Sequence, residues 1–169
     1  LFRNRNYLAG SVGIIAMGFM AAAVMLPIML WLQTMQGIPA GEAGIIVAPM
    51  ALVSLLISPL GGIMADYVNP RILGVVGFSL LILSLLAAWW VMHVDALPWV
   101  LGLPIAGLGA GQSFIWGSNA ATTLRDISPE LMGAASGVYN TSRQVGSVVG
   151  VALVLSLIHI SEPTRLLSI

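Results

Sequence analysis

The sequence predicts an all-α integral membrane protein. Three observations carry that expectation: an apolar composition, charges spaced so that helix-length stretches between them carry none, and arginines that fall on one side of the resulting zigzag. Hydrophobic residues make up 59% of the 169 residues and charged residues 7%. The mean hydropathy of +1.01 lies far outside the soluble globular range. The charges are six Arg, no Lys, and six Asp and Glu, for a net charge of zero. Such a balance implies no nucleic-acid partner and no acidic substrate. There is no cysteine, and the two histidines, His93 and His159, stand far apart. Neither a metal site nor a cofactor is expected.

A helix crosses about 30 Å of hydrocarbon with roughly 20 apolar residues, at about 1.5 Å of rise each. The stretch between Arg5 and Glu42 therefore holds a first span, at about residues 8–32. It carries Met17, Met20, Met25 and Met29 around Pro27, which suit either an adaptable hydrophobic pocket or ordinary packing and lipid contact. Glu42 and Asp66 bound a second span at about 44–65, where Pro49 and Pro59 are expected to bend the helix. The third, at about 72–91, opens on Asn69 as N-cap, Pro70 in the first turn and Arg71 on the flank. The fourth, at about 97–123, places Gln112, Trp116, Asn119 and Thr123 at steps of four, three and four, so they share one face. In hydrocarbon that face turns either toward a transport path or toward packing hydrogen bonds. Gly107 and Gly111 in the same span form a small-xxx-small contact, and Pro104 offers a kink. The fifth span, at about 131–153, is announced by Ser128, Pro129 and Glu130.

Arg3, Arg5, Arg71 and Arg125 lie on one side of this zigzag, and Glu42, His93 and Asp95 on the other. The positive-inside rule assigns residues 1–6, 66–71 and 124–130 to the cytoplasmic side of the membrane. Trp31, Trp89, Trp90 and Trp99 then fall at outer helix ends, where amphipathic rings favour the headgroup zone.

Arg143 interrupts the fifth span. A guanidinium there costs about 2.5 to 3.5 kcal/mol on insertion scales unless it is solvated or paired. Either the side chain snorkels to the cytoplasmic headgroups, or it joins an interior polar network. Ser136, Asn140, Arg143 and Ser147 form one polar stripe at helical spacing. Gly133, Gly137, Gly146 and Gly150 lie beside it and allow a neighbouring backbone to come close.

Both termini read as interrupted. Leu1 stands without an initiator Met in the middle of a basic connection, and an odd number of crossings suggests a sixth helix missing at the other end. Residues 155–165, LSLIHISEPTR, resemble the conceptual translation of a transposase sequencing adapter, which would leave residues 155–169 outside any domain. The alternative is that Ser156 to Ile160 continue the fifth helix and that the remainder is a polar tail.

The segments LFRNRNY, LPIMLWLQTMQGIPAGEAGIIVAPMALVSLLISPLGGIMADYVNPR and NTSRQVGSVVGVAL, in this order and spacing, resemble the C-terminal six-helix portion of the fourteen-helix drug/proton antiporters of the major facilitator superfamily. The resemblance covers residues 1–154. It implies a partial C-terminal bundle, with five helices present, that exports hydrophobic or cationic small molecules by alternating access. The missing N-terminal half of the same transporter would be its partner, with protons coupled through that half. The family's cytoplasmic loop signature is matched at Gly62, Ala65, Asp66 and Arg71, whereas Tyr67, Asn69 and Pro70 depart from it.

No Asp or Glu lies within any proposed span, so a proton-coupling carboxylate is not expected in this chain. An intramembrane enzyme would need paired Asp, a His cluster or a Ser with a His base. None is present, and no catalytic residue is expected. The remaining alternatives are another facilitator branch, carrying sugars or metabolites, and a nonenzymatic membrane scaffold.

Overall fold

A computed structural model describes residues 4–94 and 97–161; the side chains of Ala65, Asp66 and Ser161 lie outside the described set, as do Arg3, Asp95 and the tail residues Glu162, Pro163 and Arg165. Helices are the only regular elements among the described residues: α1 (Arg5–Leu30), α2 (Ala40–Tyr67), α3 (Pro70–His93), α4 (Gly102–Leu124) and α5 (Met132–Ser161), with short π and 3₁₀ turns between them. All five expected spans are present, each embedded in a helical segment long and apolar enough to cross a bilayer. The protein is thus a multi-pass membrane protein whose solvent is lipid.

Helix borders follow local chemistry. Asn4 opens α1, its Oδ1 accepting from the backbone N–H of Asn6 at 2.9 Å and of Tyr7 at 3.3 Å. The end of α1 widens into a π turn, Trp31–Met35, closed by Gly37 at φ 65°, the left-handed conformation that glycine adopts without a Cβ penalty. Asn69 caps α3 as expected, accepting from the Arg71 N–H at 3.0 Å, with Pro70 in the first turn. Ser128 differs: Pro129 opens a short 3₁₀ turn, Pro129–Leu131, and the Ser128 hydroxyl makes no capping bond. Pro104 also differs from expectation. A 3₁₀ turn, Pro98–Leu101, precedes α4, so Pro104 sits in the first helical turn, where its missing N–H removes no interior bond. Pro49 and Pro59 lie inside the unbroken α2. α5 runs past the expected boundary to Ser161, because nothing in LSLIHI breaks a helix.

The helices form two compact units. In the first, α1 and α5 run parallel: the Tyr7 hydroxyl donates to the Ala135 carbonyl at 2.9 Å, Gly146 packs on the Ile15 carbonyl, and Gly150 on that of Phe19. Gly18 answers from α1, lying against the Arg143 carbonyl. Contacts four residues apart on both helices make one continuous ridge, and a Cβ at any of these glycines would overlap backbone. Gly133 and Gly137 take no part, since a Cβ at either would meet nothing within 4 Å.

In the second unit α4 is the central helix. It runs parallel to α2, with Gly109 against the Met50 carbonyl, and a Cβ at Gly61 would lie 3.1 Å from the Ser113 carbonyl. It runs antiparallel to α3, where Gly107 meets the Ser84 hydroxyl and a Cβ at Gly111 would lie 2.9 Å from the Gly77 carbonyl. Gly107 and Gly111 are therefore the packing contact that their spacing suggests. Within each unit, these relative directions are those of a chain that reverses at every connection.

Three of the four belt tryptophans, Trp89, Trp90 and Trp99, are about 60% exposed, as interfacial rings should be. Trp31 departs from the expectation: it is buried at the start of the π turn.

Gly146→Val should weaken the α1–α5 pair by about 1–3 kcal/mol, the usual range for overpacking. Gly137→Val on the same helix should leave it unchanged, as checked by reversible unfolding in mixed detergent micelles.

Candidate functional site

The polar face of α4 arises because steps of four and three keep residues on one side of a helix. Gln112 and Trp116 line a cleft of about 520 Å³ between α2 and α4, together with Ala51, Ser54, Leu55, Ser58 and Ser113. Asn119 does not line it. That residue stays half-buried one turn further on, where its carbonyl accepts from the buried Thr123 hydroxyl at 2.5 Å. The sequence-predicted face is thus divided, with two members in a cleft and two in helix packing.

The cleft walls are fixed by backbone contact. Gly109 brings α4 onto α2, and the hydroxyls beside it line the contact: Ser54 donates to the Gly109 carbonyl at 3.1 Å, and the Ser113 hydroxyl lies 2.9 Å from the Gly109 carbonyl of its own helix and 3.4 Å from the Ser54 carbonyl, to either of which it can donate. These groups are satisfied by backbone, as lipid requires. No charged residue occurs between residues 44 and 64 of α2 or anywhere in α4. A cation over a tryptophan face gains about 0.5–2 kcal/mol, less than the roughly 2.5–3.5 kcal/mol that a charge costs in mid-span.

The α5 stripe is divided as well. Ser147 faces α1, its hydroxyl lying 3.2 Å from both the Gly18 and the Arg143 carbonyls, to which it can donate. Arg143 is half-buried, its Nε enclosed, and its backbone carries the Gly18 contact. Ser136 is half-buried, whereas Asn140 is exposed and donates back along its own helix to the Ser136 carbonyl at 3.0 Å. Arg143 and Ser147 thus lie at the α1 seam, and Asn140 lies off it.

Of the loop signature, Gly62 and Arg71 are exposed and the Asp66 side chain lies outside the described residues. A second cleft, of about 530 Å³, forms at this end from Tyr67, Asn69, Pro70, Ala121, Thr122 and Arg125. Among the described residues no cluster of His, Asp or Glu could hold a metal.

Sequence reasoning missed the fastening at the start of α1. Besides the Tyr7 bond, the Asn6 amide donates to Asp126 at 2.8 Å. Tyr7 is completely buried despite standing in a polar flank. A phenol one turn into a membrane helix was the available signal, since its hydroxyl must find a partner once buried.

The sequence model of the Major Facilitator Superfamily matches residues 1–151. The chain is 32% identical over 154 residues to the uncharacterized MFS-type transporter Rv1250 of Mycobacterium tuberculosis, covering 90% of this chain and 26% of that protein. It is 25% identical to the multidrug resistance protein Stp of the same species, covering 94% of this chain and 29% of Stp. It is 24% identical to the riboflavin transporter RibZ of Clostridioides difficile, covering 90% of this chain and 33% of RibZ. The chain therefore spans between a quarter and a third of the length of these relatives. No solved structure matches it.

Tyr7→Phe removes one buried interhelical hydrogen bond and should lower the stability of the α1–α5 pair by about 0.6 kcal/mol, the average for such bonds in membrane proteins, and by no more than about 1.7 kcal/mol. Unfolding in mixed micelles checks the value.

Proposed function

Because the chain belongs to the major facilitator superfamily, we propose that it supplies five of the six C-terminal helices of a drug exporter of the fourteen-helix proton-antiporter branch. The supporting observation is the cleft between α2 and α4, which brings Gln112, Trp116 and Ser58 to one uncharged surface within the membrane. The names of relatives such as Stp support export of drugs, and the 26–33% coverage of the relatives supports a larger partner portion, an N-terminal half, in the working protein. Hydrophobic or cationic small molecules are the cargo. Alternating access arises as two bundles rock about a central site. Protons couple through an acid of the N-terminal half, since the spans of this chain hold none.

Residues 1–6, 66–71 and 124–130 face the cytoplasm of the bacterial inner membrane, and the loop of Gly62, Asp66 and Arg71 acts at that face during rocking. Arg143 belongs to the interior network with Ser147. Its enclosed Nε, at the seam where Gly18 meets α5, supports that place over a snorkelling one. Asn140, Ser136 and Asn119 complete the polar surfaces offered to the cavity or to neighbouring helices. Residues 155–169 lie beyond the family match, which ends at residue 151.

A full-length version, expressed in an efflux-deficient bacterium, should lower dye accumulation several-fold relative to empty vector; unchanged accumulation rejects drug export. Arg143→Ala should abolish most of that efflux at normal membrane levels, and full retention would return Arg143 to a packing role.

A further inference from the structure

We propose that the α2–α4 cleft is a binding site for neutral, planar lactam- or amide-bearing aromatic ligands, read by Gln112 and Ser58 and stacked on Trp116. The proposal rests on the transport reading for its biological meaning, but its physical grounds are in the cleft.

The first ground is unspent hydrogen-bonding capacity. Of the polar groups lining the cleft, the Ser54 and Ser113 hydroxyls are committed to the Gly109 and Ser54 carbonyls. Gln112 and Ser58 have no side-chain hydrogen bond among the described residues, while both line the cleft. Gln112 stands about 15 Å from the start of α4 at 1.5 Å per residue, which is half of a roughly 30 Å hydrocarbon core. A carboxamide at that depth offers two donors and an acceptor that hydrocarbon cannot satisfy. A lactam or amide edge presents the complementary donor and acceptor side by side.

Charge and shape narrow the ligand further. The stretch of α2 lining the cleft and the whole of α4 contain no ionisable residue, so the cleft holds no counter-charge for an ion. Trp116, one turn from Gln112 on the same face, supplies a flat apolar wall beside the amide, with Leu55 and Ala51 opposite on α2. The volume of about 520 Å³ lies within the range of small-molecule pockets. Backbone packing at Gly109 and Gly61 fixes the separation of the walls, so the cleft is formed before any ligand arrives.

The test is equilibrium binding to the full 169-residue chain in lipid nanodiscs, read by ligand fluorescence. Three probes share one tricyclic frame: phenanthridinone, a neutral lactam; N-methylphenanthridinone, which lacks the N–H donor; and N-methylphenanthridinium, a cation. Saturable binding in the order lactam, N-methyl lactam, cation is expected. Gln112→Leu should weaken the lactam about tenfold, the usual worth of one or two hydrogen bonds, and the N-methyl lactam, which keeps only its carbonyl acceptor, by a smaller factor. Ser58→Ala should act in the same direction more weakly. Trp116→Leu should weaken both neutral probes alike. Helical content by circular dichroism, with retained N-methyl lactam binding, shows that the Gln112 variant is folded. No saturable lactam binding, a preference for the cation, or equal loss of both neutral probes in Gln112→Leu overturns the proposal. Drug efflux by the full-length protein does not depend on that outcome, so the two readings fail separately.

Discussion

Close approach of helix backbones at glycine is the interaction on which the rest of this structure depends. In lipid, apolar side chains gain nothing by leaving an equally apolar solvent, so helices associate through dispersion contacts and hydrogen bonds that need short separations. Gly18, Gly146 and Gly150 set that separation between α1 and α5, and Gly61, Gly77, Gly109 and Gly111 set it around α4. The interhelical serine bonds follow from it. Ser147 reaches the Gly18 carbonyl, and Ser54 that of Gly109, only because no Cβ holds the helices apart.

Polar groups divide accordingly into two kinds. Many Ser and Thr hydroxyls return to a carbonyl four residues back or to the facing helix, which satisfies them, whereas the buried Ser11 hydroxyl meets no partner among the described residues. Gln112 and Ser58 are different, because they open into a cleft whose walls are otherwise apolar or already bonded. Arg143 is a third case: its backbone is used for packing while its side chain remains half-buried at the seam.

The sequence made some of this legible and concealed the rest. Asn69 and Pro70 announced the start of α3, because capping is a matter of adjacent residues. Ser128 did not behave alike, since the 3₁₀ turn after Pro129 leaves its hydroxyl no capping bond to make. Four evenly spaced glycines on α5 looked equivalent, yet only Gly146 and Gly150 meet a backbone. Trp31 had the position of a belt residue and is buried. Gln112, Trp116 and Asn119 share a helix face by spacing, but a face is wider than the cleft that one neighbour makes.

The sequence by itself determined the solvent and the number of helices long enough to cross it, since these rest on hydrophobic length and on where charge is absent, and both are local properties. It also determined that no charge lies in α4 or in the α2 stretch facing the cleft. Only the tertiary structure decided which glycines touch, which hydroxyls are spent, and which polar side chains remain open to a cleft. Those outcomes depend on the rotation and register of one helix against another, and helical periodicity places a residue on a face without saying what that face meets.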